Sequence, residues 1–176
     1  MNTANIERYL NSFGKYIVKQ ARTNLTKGKK NVSKGLYNSL SFKIVTDAKG
    51  FSIKFYMDFY GTFVDKGVSG NKKKQKFKDY LGKIISSPYK YTTKQPPPNI
   101  LAKWISKKGM KGRDKKTGRF ISHMSLAFII GRKIKRDGIK SLAFFQKPLG
   151  LGLKQFGSDL LGNVKEDILN NLITVN

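Results

Sequence analysis

No cysteine occurs in the 176 residues, which excludes disulfides and thiolate metal sites and allows a reducing, intracellular origin. Histidine occurs once, at His123, so a histidine-based metal centre cannot be assembled from this chain alone, and any Ser-His-Asp arrangement would have to be built on that one residue. Acidic residues are scarce, 10 against 36 Lys+Arg, for a formal net charge of +26. No apolar run approaches the ~20 residues of a membrane span, and the longest, Ser125 to Gly131, falls far short. The N-terminus, with Asn2, Asn5 and Glu7, lacks the basic-then-apolar order of a secretion signal. No Gly-Lys-Ser/Thr phosphate loop is present, and Gly150-Leu151-Gly152 has no third glycine at the dinucleotide spacing.

What remains is a chain that is 39% hydrophobic and 12% aromatic, apolar enough to build one core. Its charge is concentrated. Residues 71–141 carry 21 basic against 3 acidic side chains, whereas residues 142–176 carry 3 of each. A field gathered in one third of the chain points to a polyanionic partner: nucleic acid, an acidic protein or anionic lipid. Cationic membrane activity is the weakest of these, because the cations sit in loops rather than along one amphipathic helix.

The hydrophobic pattern predicts an α+β fold. Ile6, Leu10, Phe13, Ile17, Ala21 and Leu25 form one stripe at the helical period, with Thr3 as N-cap and Gly28 as stop. Gly14 within it costs about 1 kcal/mol relative to alanine, so this helix depends on packing. Leu40, Phe42 and Ile44, then Phe51, Ile53, Phe55 and Met57, alternate around Asp47-Ala48-Lys49-Gly50 as a hairpin with one buried face. Residues 59–65 fit either a continued strand or a short helix.

Residues 66–97 read as a long basic loop in which Gly67 to Gly70 is a flexible turn. A helix near 98–108 follows, with Ile100, Leu101, Trp104 and Ile105 inward and Gly109 as stop. A second basic loop, 107–120, has turn chemistry at Lys115 to Arg119. The helix expected over 121–136 turns Met124, Ala127, Phe128, Gly131 and Ile134 inward. Residues 142–149 read as an apolar connector. Leu153, Phe156, Leu160, Val164, Ile168 and Leu172 mark a final amphipathic helix. The expected domain is 1–150, with 151–176 as the added helix.

Candidate chemistry is sparse. Asp58 and Asp65 are close in sequence and could form an acid or metal pair, but a third ligand is missing, and Asp65 as a loop cap or interface partner is the simpler reading. No catalytic residue, cofactor or metal is expected. The cations that stand out are Lys72, Lys73, Lys74, Lys76 and Lys78 in the first loop, and Lys111, Arg113, Lys115, Lys116 and Arg119 in the second. With neither zinc-finger spacing nor a ribonucleoprotein aromatic motif, salt-sensitive backbone contact is expected rather than base reading.

Four stretches, in order, resemble the small tail-completion, or neck, proteins that join head to tail in long-tailed bacteriophages. They are the N-terminal helix leading into Gly35-Leu36-Tyr37-Asn38-Ser39-Leu40, the segment Tyr60 to Gly67, and Pro96-Pro97-Pro98 with Leu101, Trp104, Ile105 and Gly109. The fourth is Leu126 to Ile139, ending in Phe144-Phe145 and Pro148-Leu149. The resemblance implies an α+β subunit, with a long N-terminal helix and further helices packed on a small curved antiparallel sheet. It also implies a ring-forming, non-enzymatic virion protein, assembled in the host cytoplasm between portal or adaptor and tail proteins. On that footing the basic loops face either duplex DNA, through its backbone, or an acidic neighbour. Tyr60, Phe63, Asp65 and Trp104 belong to the subunit interface or the core. A small basic protein binding nucleic acid without sequence preference, outside any virion, is the alternative.

Overall fold

Helix α1 (Ala4–Lys27) presents Phe13, Ile17, Val18, Ala21 and Leu25 as a buried stripe, and the Gly28 N–H closes it on the Asn24 carbonyl oxygen at 2.8 Å. The computed structural model describes residues 4–47 and 50–173, without the side chains of Ala4, Ser158, Leu161, Asn163 and 166–173. Thr3, expected as the cap of α1, therefore lies outside the described residues, as do Ala48-Lys49 of the hairpin turn.

A one-turn helix α2 (Gly35–Ser39) leads into strands β1 (Ser41–Asp47) and β2 (Gly50–Tyr56), paired antiparallel with Phe42 opposite Phe55 and Ile44 opposite Ile53. This is the hairpin that the alternation predicts. Its Phe42 ring lies so close to Gly14 that a Cβ there would meet it at 2.4 Å. Close approach of hairpin to helix thus explains a glycine that intrinsic propensity disfavours.

Residues Gly61–Lys66 form helix α3, which resolves the ambiguity over 59–65. The long loop expected over 66–97 is instead organised by three short strands: β3 (Val68–Ser69), β4 (Lys76–Lys78) and β5 (Ile84–Ser86). Gly67, Val68, Ser69 and Gly70 are all buried, so this segment is not the flexible turn expected but an inner strand. Local composition, rich in glycine and serine, hid a pairing partner seventy residues away.

Helix α4 (Pro98–Lys107) starts on the last proline of its triplet. It ends in a Schellman arrangement: the Gly109 N–H bonds the Ser106 carbonyl oxygen, and the Met110 N–H bonds that of Ile105. The strands β6 (Gly112–Arg113) and β7 (Phe120–Ile121) turn the second basic loop into a hairpin. Helix α5 (His123–Asp137) is capped by the Ser122 hydroxyl and stopped by Gly138, at φ +79°, which opens β8 (Gly138–Ile139) beside β3. Helices α4 and α5 pack side by side, with Ile105 and Ala127 fully buried. Ile100, Met124 and Phe128, expected inward, are exposed, because the α4–α5 contact covers only a narrow strip of each helix.

Helix α6 (Gln146–Ile173) begins inside the expected connector and runs without interruption past residue 150. It lies along α1, where Phe156 meets Tyr9, Phe13 and Tyr16 at ring-centroid distances of 5.3–5.7 Å. Gly152 is buried against Phe13 and Ile17 of α1, whereas a Cβ on Gly150 would meet the Tyr80 carbonyl oxygen at 2.3 Å, so the two glycines admit two different neighbours. Leu160 and Val164 are half-buried, Leu153 is exposed, and the side chains of Ile168 and Leu172 lie outside the described residues. The main core joins α1, α2, Phe144 and Phe145, with Phe42, Ile53 and Phe55 of the hairpin against it. The α+β class expected from the sequence holds, its antiparallel pairing divided, among the described residues, into four two-stranded ladders.

Candidate functional site

The last carbonyls of any α-helix lack intrahelical partners, and in α5 they are used to bind the first basic segment. The Asn71 N–H donates to the Lys135 carbonyl oxygen at 2.9 Å and the Lys72 N–H to that of Arg136 at 3.0 Å. Buried Gln75 adds its Nε2, which donates to the Asp137 carbonyl oxygen at 2.6 Å. Lys72 and Lys73 are thereby held beside Arg132, Lys133, Lys135 and Arg136 rather than left on a loose loop. A groove between the strap and α5 is lined by Lys72, Gln95, Ile129, Arg132, Lys133 and Arg136. The partial negative charge of the helix C-terminus favours this gathering of cations.

Lys73 and Lys140 flank a second hollow with Lys133 and Asp137. Asp137 is engaged by the Arg136 guanidinium, with both contacts at 2.8 Å, which holds its carboxyl below the ordinary range. Lys74 is exposed, and Lys76 and Lys78 flank buried Phe77 on β4, so they share the outer face of the β4–β5 hairpin. Of the first group, Lys72 and Lys73 border the α5 end, while Lys76 and Lys78 stand on a separate hairpin.

The second group occupies the other end of α5. Lys111, Arg113, Lys115, Lys116 and Arg119 are all exposed on the β6–β7 hairpin. Its turn is held by Asp114, whose Oδ1 accepts from the N–H of Lys116 and Thr117 and from the Thr117 hydroxyl at 2.8–3.0 Å. Those bonds lower the Asp114 pKa. Fifteen helical residues separate the two groups, a length of about 22 Å, equal to about 13 backbone charges of duplex DNA. The basic linker after α1 approaches the same region: partial burial, then the charge of Lys108, lowers the pKa of Lys30.

The remaining candidates have separate surroundings. Asp65 is 2% exposed, and its carboxylate accepts from the backbone N–H of Phe145 and Gln146 at the start of α6. It belongs to the core, and its burial removes it from any subunit interface. Asp58 is exposed and hydrogen-bonds the Tyr60 hydroxyl, so the two carboxylates serve different partners. Partial burial, then the Asp58 charge, raises the Tyr60 pKa. Phe63 is half-buried and stands edge-on to Phe59 at 5.2 Å and Tyr89 at 4.6 Å. Phe59 itself is 76% exposed, and its chain neighbours Tyr56 and Tyr60 are exposed as well. Trp104 is half-buried under Lys108, whose Nζ lies 4.9 Å from the ring centroid.

Sequence reasoning thus missed Arg132, Lys133, Lys135, Arg136 and Lys140 as members of a site. The available signal was the run of cations in the last turns of α5, Arg132, Lys133, Lys135 and Arg136. It missed Phe59 as well. Among the described residues no three His, Asp or Glu side chains gather as metal ligands, and no helix is long and apolar enough to cross a membrane. Comparison with protein-family models, with curated proteins and with solved structures finds no match to this chain.

Proposed function

We propose that this chain is a non-enzymatic assembly subunit: a ring-forming head–tail connector or tail-completion protein whose basic edge lines or flanks a DNA channel in a virion. The observation that carries this reading is the backbone bonding of Asn71 and Lys72 to the end of α5, which gathers Lys72 and Lys73 with Arg132, Lys133, Lys135 and Arg136 on one edge. Like charges so assembled repel one another unless an external polyanion compensates them. A duplex backbone supplies such charge without demanding sequence readout. The exposed rings of Tyr56, Phe59 and Tyr60 are the natural contact for a neighbouring subunit, because aromatic side chains are enriched at protein interfaces. Portal, adaptor and tail proteins are the remaining partners on this reading.

The second reading, a small nucleic-acid-binding protein outside any virion, is favoured by the same basic edge, which needs no oligomer to bind a duplex. Light scattering at low and high salt separates the two: the connector yields ring-sized assemblies or stable capture by a portal or tail partner. A lasting monomer with salt-dependent DNA binding alone favours the second. Replacing Lys72, Lys73, Lys74, Lys76 and Lys78 by Gln lowers the salt slope of DNA retention where these side chains touch phosphate. An unchanged slope assigns them to a protein partner or to solvent.

A further inference from the structure

Three aromatic rings on the α4–α5 unit carry a cation: Lys108 over Trp104, Arg113 Cζ at 4.3 Å from the Phe120 centroid, and Arg132 Cζ at 4.9 Å from that of Phe128. Phe120 is nevertheless 61% exposed and Phe128 47%, so much of each ring remains open to water. Met124, Phe128 and Arg132 follow one another at successive turns on the same side of α5, with Phe120 just before them on β7. Lone exposed apolar side chains are ordinary, whereas a row of them marks a binding surface.

Near the row, one carboxylate, Asp114, stands among Lys111, Arg113, Lys115, Lys116 and Arg119, so positive charge prevails there. The Asp114 oxygen is turned onto its own turn, and Asp137 is paired with Arg136. Interleaved open rings and cations are what a flexible polyanion with flat, apolar faces requires: the rings take the bases and the cations take the phosphates. A duplex hides its base faces in the stack, while an unpaired strand offers them. Guanidinium groups laid on aromatic rings also provide planes for base stacking. An acidic amphipathic helix, by contrast, needs a hollow for its apolar side, and Phe120 and Phe128 project outward.

We infer that the β6–β7 hairpin and the outer face of α5 form a platform for unpaired nucleic acid. Bases stack on Phe120 and Phe128, and phosphates pass to Lys111, Arg113 and Arg132. This rests on the polyanion reading above and goes beyond it, since duplex backbone contact has no use for exposed rings.

The test is fluorescence anisotropy of the full chain with a labelled oligothymidylate of about 16 nucleotides and with a duplex of equal length. Phe120→Ala and Phe128→Ala each weaken oligothymidylate binding about tenfold and leave duplex affinity unchanged. Phe120→Leu and Phe128→Leu keep the apolar bulk, guard against misfolding and give the same loss. Leucine variants that bind as tightly as the parent overturn the platform, as does a parallel loss of duplex binding. A tighter hold on a glutamate- and leucine-rich helical peptide than on oligothymidylate also overturns it, in favour of a protein partner. A parent chain that holds duplex but not oligothymidylate overturns the platform alone; one that holds neither overturns the polyanion reading with it.

Discussion

The carboxylate of Asp65 accepts a 2.8 Å hydrogen bond from the backbone N–H of Phe145, a residue 80 positions later in the chain. Its own carbonyl oxygen receives the Ala143 N–H at 3.0 Å and the Ser141 hydroxyl. One buried residue at the end of α3 therefore fastens the segment that leads into α6. A side chain that looks catalytic among so few acids is a cap in the fold.

Asp65→Ala removes the acceptor and leaves the buried Phe145 amide and the half-buried Gln146 amide without it, a loss of about 2–3 kcal/mol. Asp65→Asn keeps one oxygen and costs about 1 kcal/mol. Urea denaturation of the three proteins at neutral pH checks the order.

The same residue sets a pH dependence. Burial pushes the Asp65 carboxyl above its ordinary value, against the pull of the Phe145 and Gln146 amides. The folded state then binds the proton more tightly than the unfolded chain, so this group's contribution is full below the unfolded pKa of about 3.9. It is lost as pH rises through the folded pKa. The stability of the parent relative to Asp65→Asn falls as pH rises across that window. A difference that grows with pH contradicts the assignment of burial as the dominant cause.

Gly138→Ala is expected to be severe. Its φ is +79°, and a Cβ there would meet the Val68 carbonyl oxygen at 2.1 Å. Both strain and clash act on the β3–β8 pair, so the loss exceeds about 2 kcal/mol. Because that pair leads into the segment bonded to the end of α5, the proposed DNA contact weakens together with stability.

Arg22 reaches the Tyr37 carbonyl oxygen through Nε and the Leu40 carbonyl oxygen through a terminal nitrogen, both at 3.0 Å, and stacks on the Tyr37 ring. Arg22→Met loses about 2 kcal/mol. Arg22→Lys recovers little of it, because an ammonium cannot span two carbonyls as the guanidinium fork does. Thermal unfolding of both variants measures the difference.

Replacing Arg132, Lys133 and Arg136 together by Gln lowers the salt slope of DNA retention by about one unit for each phosphate that is no longer neutralised. Combining them with the Lys72 and Lys73 changes gives less than the sum, since Lys72 shares one groove with Arg132, Lys133 and Arg136 and Lys73 shares the next hollow with Lys133. Strict additivity indicates two independent surfaces. Tyr56→Ser with Phe59→Ser removes exposed rings and leaves the melting temperature nearly unchanged. Self-association measured by light scattering falls if these rings join subunits.

Much of the architecture was legible from local pattern. The α1 stripe, the β1–β2 alternation and the stops at Gly28 and Gly109 all rest on interactions within a few residues, where period and cap chemistry decide the outcome. Concentrated charge between residues 71 and 141 was equally legible, because it is a sum over composition. Only the tertiary structure decided that Gly67–Gly70 is an inner strand, that Asp65 caps α6, and that Lys72 and Lys73 border the end of α5. Each depends on a backbone partner about 60–80 residues away. No local window contains the two groups whose hydrogen bond selects the structure.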